Sequence, residues 1–589
     1  MNLIPNLTVI IFCVYFKTIS GAIDKPLVTI SDGDLLGSIE EARNGRQYFR
    51  FLGIPYGVVE QRFGVSKPIP PWNGTKVATK LGPTCLQLDF IFSTMTGVED
   101  CLILNVYTPQ ISDTKLLPVQ TMVFIHGGAF ICGSANDYDG SFFMSEDVVL
   151  VSINYRLGLF GFLNAEIEGA SGNQGLKDQV LALKWVQKNI RAFGGDPDRV
   201  TIFGESAGAI SVSHLTMSPM GKGLFHAAIT QSGMVTCPQA DKRESALLEA
   251  KKLANLVDCP SSDPKFMVEC LRRMKGEELL KQTQFKHPTH FTFDVYDVPQ
   301  FGPTIETYIP TKAPDSVFHK QDPLKTLFDG TFNKVPLITG ITSDEGIFIS
   351  ANVVLNNATL LELMNNEWGR VSPSTFLYHA TARDPCSLST KIRDFYFQDQ
   401  EISKVNGQKL IDLYSDRWFF HCTRQGALLY AKHAPVYIYY LTHRGEHTFD
   451  AFEMTKDSNG LKGPTHADDL IYQFPMPEWV PPLTKGSLDE DFSKKIVGMW
   501  TSFAKNDGRP KPWGDVEEWP QLKVSETPMR WLHLDNDLSI QPEHADFTKR
   551  MEFWDKLVQP MQMRALDTAE QKSRQGLLRC ESSDGYCNL

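Results

Sequence analysis

The chain has 589 residues, of which 42% are hydrophobic, so it can bury a large core. Its formal charge of −11 argues against a nucleic-acid partner, which selects basic faces. The charges are spread rather than blocked, the pattern of an ordinary solvated surface.

Met1 to Ala22 reads as a secretory leader, with an apolar run at Val9–Phe16 and small residues at Ser20, Gly21 and Ala22 for cleavage. That run is too short to span a bilayer. No later stretch is long and apolar enough, and Gln571 to Leu589 is polar, without a GPI or ER-retention ending. The expectation is a secreted, extracellular protein with no stable membrane anchor. Cysteine usage fits an oxidising compartment. Cys13 falls in the leader; Cys85 and Cys101 flank one short loop, and Cys259 and Cys270 another. Both pairs could be bridged, but spacing alone does not give connectivity. Asn73-Gly-Thr75 and Asn357-Ala-Thr359 are glycosylation sequons.

Leu27 to Ile39 and Arg46 to Ile54 alternate apolar and polar residues and predict an antiparallel β entry. Gly53 to Gly57 and Pro68 to Trp72 read as proline-bearing loops that no central strand would contain. Leu102–Tyr107, Val119–Ile125 and Asp147–Tyr155 are predicted strands, the second running straight into His126-Gly-Gly-Ala-Phe130. Leu176, Val180, Leu183 and Val186 recur at helical spacing, so Asn173 to Phe193 is predicted helical, ending at Gly194-Gly195 and Asp196-Pro197. Arg199–Phe203 is a β-branched strand leading into Gly204-Glu-Ser-Ala-Gly208, and a helix can begin at Ala207. Ala228–Ser232, Val335–Thr339 and Val436–Leu441 read as further strands. The stretches Asp241–Thr283 and Thr359–Phe395 between them read as helical caps. This alternation predicts an α/β fold, a large mostly parallel sheet flanked by helices with helical cap insertions. With no repeat or long linker, the organisation expected is a leader at 1–22, one catalytic domain at 23–565 and a polar tail at 566–589.

G-x-S-x-G between a strand and a helix is a nucleophile elbow: a tight turn that lifts a serine hydroxyl, here Ser206, above the sheet edge. A serine hydroxyl is a weak nucleophile and needs a base, and the base needs an orienting acid. In this arrangement the acid and then the histidine follow in the chain. Glu345, in a short loop after a predicted strand, is the best acid, although chemistry alone leaves Asp344 open beside it. His466, in a Gly-Pro loop, leads the histidines downstream, which include His421, His443, His447 and His533. The oxyanion would need backbone N–H donors from Ala207 and from the His126–Phe130 loop.

These motifs, with Glu99–Tyr107, Asn154–Gly158 and Asn173–Gln179, resemble type-B carboxylesterases, the cholinesterase-like family of α/β-hydrolases. The resemblance covers about Val28 to Leu557. It implies an α/β-hydrolase fold and a triad of Ser206, Glu345 and His466, choosing Glu345 over Asp344. It implies oxyanion donors at Gly128, Ala129 and Ala207, with disulfides Cys85–Cys101 and Cys259–Cys270. It implies structural ion pairs Arg62–Glu99 and Arg156–Asp178, and a supporting hydroxyl at Ser232. Departures are informative. Cholinesterases carry a tryptophan for the choline cation in the loop that here runs Leu86 to Asp100, and this loop has none. Juvenile-hormone esterases usually have Gln where this chain has Glu205. Cys422 matches a family cysteine whose usual partner is missing, which leaves it free or paired with Cys386; Cys580 and Cys587 could close a loop in the tail. The function implied is secreted hydrolysis of small to medium lipophilic carboxylic esters through a Ser206 acyl-enzyme, with no metal or organic cofactor. A lipase-like hydrolase of long-chain esters, or a non-catalytic binding member of the family, is the alternative.

Overall fold

The computed structural model describes residues 25–568 apart from 90–93, 112–115, 241–245, 284–298, 312, 348–350, 380 and 450–462. The leader, Cys580, Cys587 and nearly all of the tail lie outside the described residues. Eleven strands form the main sheet: β1 Ser38–Glu41, β2 Gln47–Pro55, β3 Ile103–Thr108, β4 Val119–Ile125, β5 Val148–Ile153, β6 Gly195–Glu205, β7 Ala227–Gln231, β8 Leu337–Thr342, β9 Val436–Leu441, β10 Arg530–Leu534 and β11 Ser539–Pro542. Their spatial order is β11-β10-β9-β8-β7-β6-β4-β5-β3-β2-β1. Pairing from β5 through β10 is parallel, and antiparallel strands finish both ends.

Parallel strands are covered on both faces, so they read as unbroken apolar runs. Every residue of β5, β7 and β8 is buried. Alternation still divides the two faces. Val123 and Ile125 of β4 join the core that contains the helix α1, Gln174–Asn189, and the helix α2, Ala207–Met217. Met122 and Phe124 point the other way, into a second core with Phe492, Ile496 and Trp500 of the helix Leu488–Lys505. The stripe Leu176, Val180, Leu183 and Val186 is fully buried, as its spacing requires.

The antiparallel entry is divided in two. Leu27–Ile30 and Gly33–Leu36 pair in a separate three-stranded sheet, while β1 and β2 edge the main one. The loop expected from Gly53 begins later, because β2 runs on to Pro55. The end position explains the tolerance of proline there: Pro55 is the last residue of the strand, opposite Ile103. Both ion pairs form: Arg62 Nη2 lies 2.5 Å from Glu99 Oε1, and Arg156 Nε lies 2.7 Å from Asp178 Oδ2. Cys85–Cys101 and Cys259–Cys270 are bonded. Cys422 is neither free nor joined to Cys386, because it is bonded to Cys237, 185 residues earlier. The turn after β7 carries Cys237 to the side of the helix that holds Cys422, a proximity that spacing in the sequence cannot reveal. No helix among the described residues is long and apolar enough to cross a membrane.

Candidate active site

Ser206 sits between β6 and α2 with φ 56° and ψ −124°, a conformation costly for any residue with a side chain. The neighbouring glycines make the turn possible. A Cβ at Gly204 would lie 2.5 Å from the Ile125 carbonyl oxygen, and one at Gly208 only 2.0 Å from it. The Ser206 N–H donates to the Gln231 carbonyl on β7, 2.9 Å away, and anchors the turn to the sheet.

Glu345 follows β8 by three residues and is 1% exposed. Its Oε2 lies 2.6 Å from His466 Nδ1. Its Oε1 accepts from Ser232 Oγ at 2.5 Å and from the Thr342 N–H at 2.9 Å. Asp344 faces elsewhere, accepting from Ser343 Oγ and Gln408 Nε2. Among the rival histidines, His421 and His443 are engaged by Asp555 and Asp489. His466 arrives on a loop whose Pro464 carbonyl accepts from the Asp344 N–H, so the acid and histidine loops are tied backbone to backbone.

Ser206, Glu345 and His466 share one cavity of about 330 Å³ with Gly127, Gly128, Ala129 and Ala207. The loop after β4 packs hard on the elbow, since a Cβ at Gly127 would stand 2.9 Å from the Glu205 carbonyl oxygen. Gly128 has φ +100°, and a Cβ there would lie 2.2 Å from the Cys132 carbonyl oxygen. His126 fixes the base of this loop. Its carbonyl accepts from Tyr155 Oη at 2.9 Å, and its ring stacks on Tyr155. Burial holds that imidazole down at about 4, so it is neutral. Trp418, Phe419, Phe449, Trp479 and Phe301 give the cavity an aromatic lining.

Glu205 brings a second buried carboxylate to the imidazole. Its Oε1 lies 3.0 Å from His466 Nε2, on the side of the ring opposite Glu345. That contact meets the distance of an ion pair but not the alignment of a hydrogen bond. Burial pushes the Glu205 carboxyl up, and the neighbouring His466 imidazole works against that rise. Burial also works against a charged imidazole, but Glu205 and Glu345 outweigh it and raise His466 to about 9. Sequence reasoning noted Glu205 only as a departure from a family motif; the residue directly before Ser206 was the available signal.

The sequence model of the carboxylesterase family matches residues 24–554. Juvenile hormone esterase of Tribolium castaneum is 36% identical over 560 residues, covering 90% of this chain and 93% of its own. Esterase E4 of Myzus persicae is 35% identical over 566 residues, covering 94% and 98%. The crystal structure of juvenile hormone esterase from Manduca sexta, with OTFP covalently attached, superposes with a TM-score of 0.78 at 25% identity, covering 91% of this chain and 100% of that one. Sheet order, elbow and relatives agree, and the chain belongs to the carboxylesterase family.

Proposed function

We propose that the protein is a secreted serine carboxylesterase in which Ser206, Glu345 and His466 form the catalytic triad. The observation that carries this reading is the 2.6 Å contact between Glu345 and His466 on the cavity into which the strained Ser206 turn opens. Family membership supports ester hydrolysis, and a structural relative with a covalently attached molecule is compatible with covalent chemistry.

His466 Nε2 takes the Ser206 proton as Oγ attacks the ester carbonyl. Glu345 holds the ring in the tautomer with Nδ1 protonated and stabilises the imidazolium. Ser232 and the Thr342 N–H hold Glu345 in turn. The N–H groups of Gly128, Ala129 and Ala207 receive the oxyanion. Alcohol departs with the proton from His466; water, activated by the same imidazole, then releases the acid. The aromatic lining suits small to medium lipophilic esters. The whole of residues 23–565 is taken as one catalytic domain. Export fits the disulfides Cys85–Cys101, Cys237–Cys422 and Cys259–Cys270. Glycans are assigned to Asn73, which is exposed, and to Asn357, whose Oδ1 caps a helix by accepting from the Leu360 N–H.

Stopped-flow hydrolysis of p-nitrophenyl acetate tests the triad. The wild type should release a burst of nitrophenol equal to the sites present. Ser206→Ala should lose the burst and on the order of 10⁶-fold in kcat. Equal activity in both proteins would remove Ser206 from the mechanism.

A further inference from the structure

Between the helices Gly407–Ser415 and His421–Ala431 the chain makes a π-turn at Asp416–Phe420, without any intervening loop. A π-turn seats one residue more than a regular helical turn, and such insertions gather at functional sites. This one puts two consecutive aromatic residues, Trp418 and Phe419, on the cavity. The Phe419 ring centroid is 4.4 Å from that of the His466 imidazole.

The turn is fastened from two sides. On one side, Arg417 donates to the carbonyls of Phe376 and Leu377 at 2.7 and 2.9 Å. Trp418 Nε1 donates to the Thr375 carbonyl at 3.1 Å, and Tyr396 Oη donates to Asp416 Oδ2 at 2.6 Å. On the other side stands the segment that follows Ser232. Gln239 Nε2 donates to the Trp418 carbonyl at 3.0 Å, Thr236 Oγ1 donates to the Cys422 carbonyl at 2.6 Å, and Cys237 is bonded to Cys422. The segment that begins with the hydroxyl supporting Glu345 therefore ends as a brace for the cavity wall.

We propose that Trp418 and Phe419 determine substrate specificity by limiting the length of the hydrocarbon group beside His466, and that the Cys237–Cys422 brace sets where this wall stands. The proposal rests on the ester-hydrolase reading above. The Trp418 ring is held through backbone and side chain alike, and Phe419 packs beside it, so the limit is a sharp one. Loosening the brace lets the π-turn move outward and relaxes the limit without substituting Ser206, Glu345 or His466.

The test measures kcat/KM for p-nitrophenyl esters from acetate to decanoate, and for n-alkyl butyrates from methyl to hexyl. The proteins are wild type, Ser206→Ala, Trp418→Ala, Trp418→Phe, the double variant Cys237→Ser/Cys422→Ser, and Thr236→Val. Trp418→Ala should raise the long-to-short ratio in at least one series by about fourfold for each methylene admitted, the worth of burying one CH₂. The change should fall in KM more than in kcat. Trp418→Phe, the variant least disturbing to folding, should move the same ratio less. The double cysteine variant should shift the ratio in the same direction, and Thr236→Val supplies a gentler loosening if that protein does not fold. Profiles of both Trp418 variants that coincide with wild type in both series would overturn the proposal. A shift in those variants with none in either brace variant would overturn the role of the brace. Undiminished acetate hydrolysis by Ser206→Ala would instead remove Ser206 as the nucleophile, and absence of hydrolysis by the wild type in both series would refute the hydrolase reading.

Discussion

Glu205 and Glu345 approach the His466 imidazole from its two nitrogens, and all three side chains are buried. A base must be neutral to accept the serine proton. Burial lowers the His466 imidazole, but its two acidic neighbours outweigh it and hold the imidazole above its ordinary value, so the acid limb of kcat/KM against pH should lie above that of a free imidazole. Glu205→Gln removes one of the charges that stabilise the imidazolium. The pKa of His466 then falls, and the acid limb of kcat/KM against pH should move down by about one unit. A limb that stays in place would show that Glu205 does not act on His466. Legibility at this scale was uneven. Ser206 announced itself through glycines on either side, because no other residue fits against Ile125. Glu345 and Asp344 are adjacent acids, and only the folded loop shows which one meets the imidazole.

The strands and their following loops do the positioning, and their order in the chain is what made the site readable. β4 leads into the His126–Phe130 loop, β6 into Ser206 and β8 into Glu345, each at the same end of a parallel sheet. Local pattern sufficed for these elements, because each is a short apolar run followed at once by small residues. It did not suffice for β10 and β11, whose sequences Arg530–Leu534 and Ser539–Pro542 mix charged and polar residues into edge positions. Nor did it show the π-turn, since helical periodicity on either side does not reveal one extra residue. The loop after β4 makes a sharp prediction. Gly128→Ala would force a side chain against the Cys132 carbonyl at a φ that disfavours it, and so displace the proposed oxyanion donors. We expect kcat on p-nitrophenyl acetate to fall by roughly 10²–10³-fold, the usual effect of losing one donor. An unchanged kcat would mean that this loop does not bind the oxyanion.

Across the whole molecule, Arg156 and Asp178 link parts that the sheet alone does not join. Arg156 follows β5, Asp178 lies on α1, and Arg156 Nη1 also donates to the Gly64 carbonyl in the entry segment. Both side chains are at most 4% exposed. Removing one partner strands the other charge away from water. Asp178→Asn should therefore cost about 3–5 kcal/mol in urea unfolding, while a loss under 1 kcal/mol would mark the pair as dispensable. The pair was legible as a family feature; the Cys237–Cys422 bond was not, because nothing near either cysteine points to the other across 185 residues.

The hydrogen bond between Glu345 and His466 spans 121 positions of the chain, and Ser206 stands further upstream still. Contacts of such long range form only after the intervening chain has closed its loops, at an entropic cost that local structure does not repay early. Helices and neighbouring strands can assemble in a refolding chain before Glu345 and His466 meet. On the proposed mechanism hydrolysis requires these contacts, so a titration of reactive Ser206 would count the molecules in which the Glu345–His466 contact has assembled.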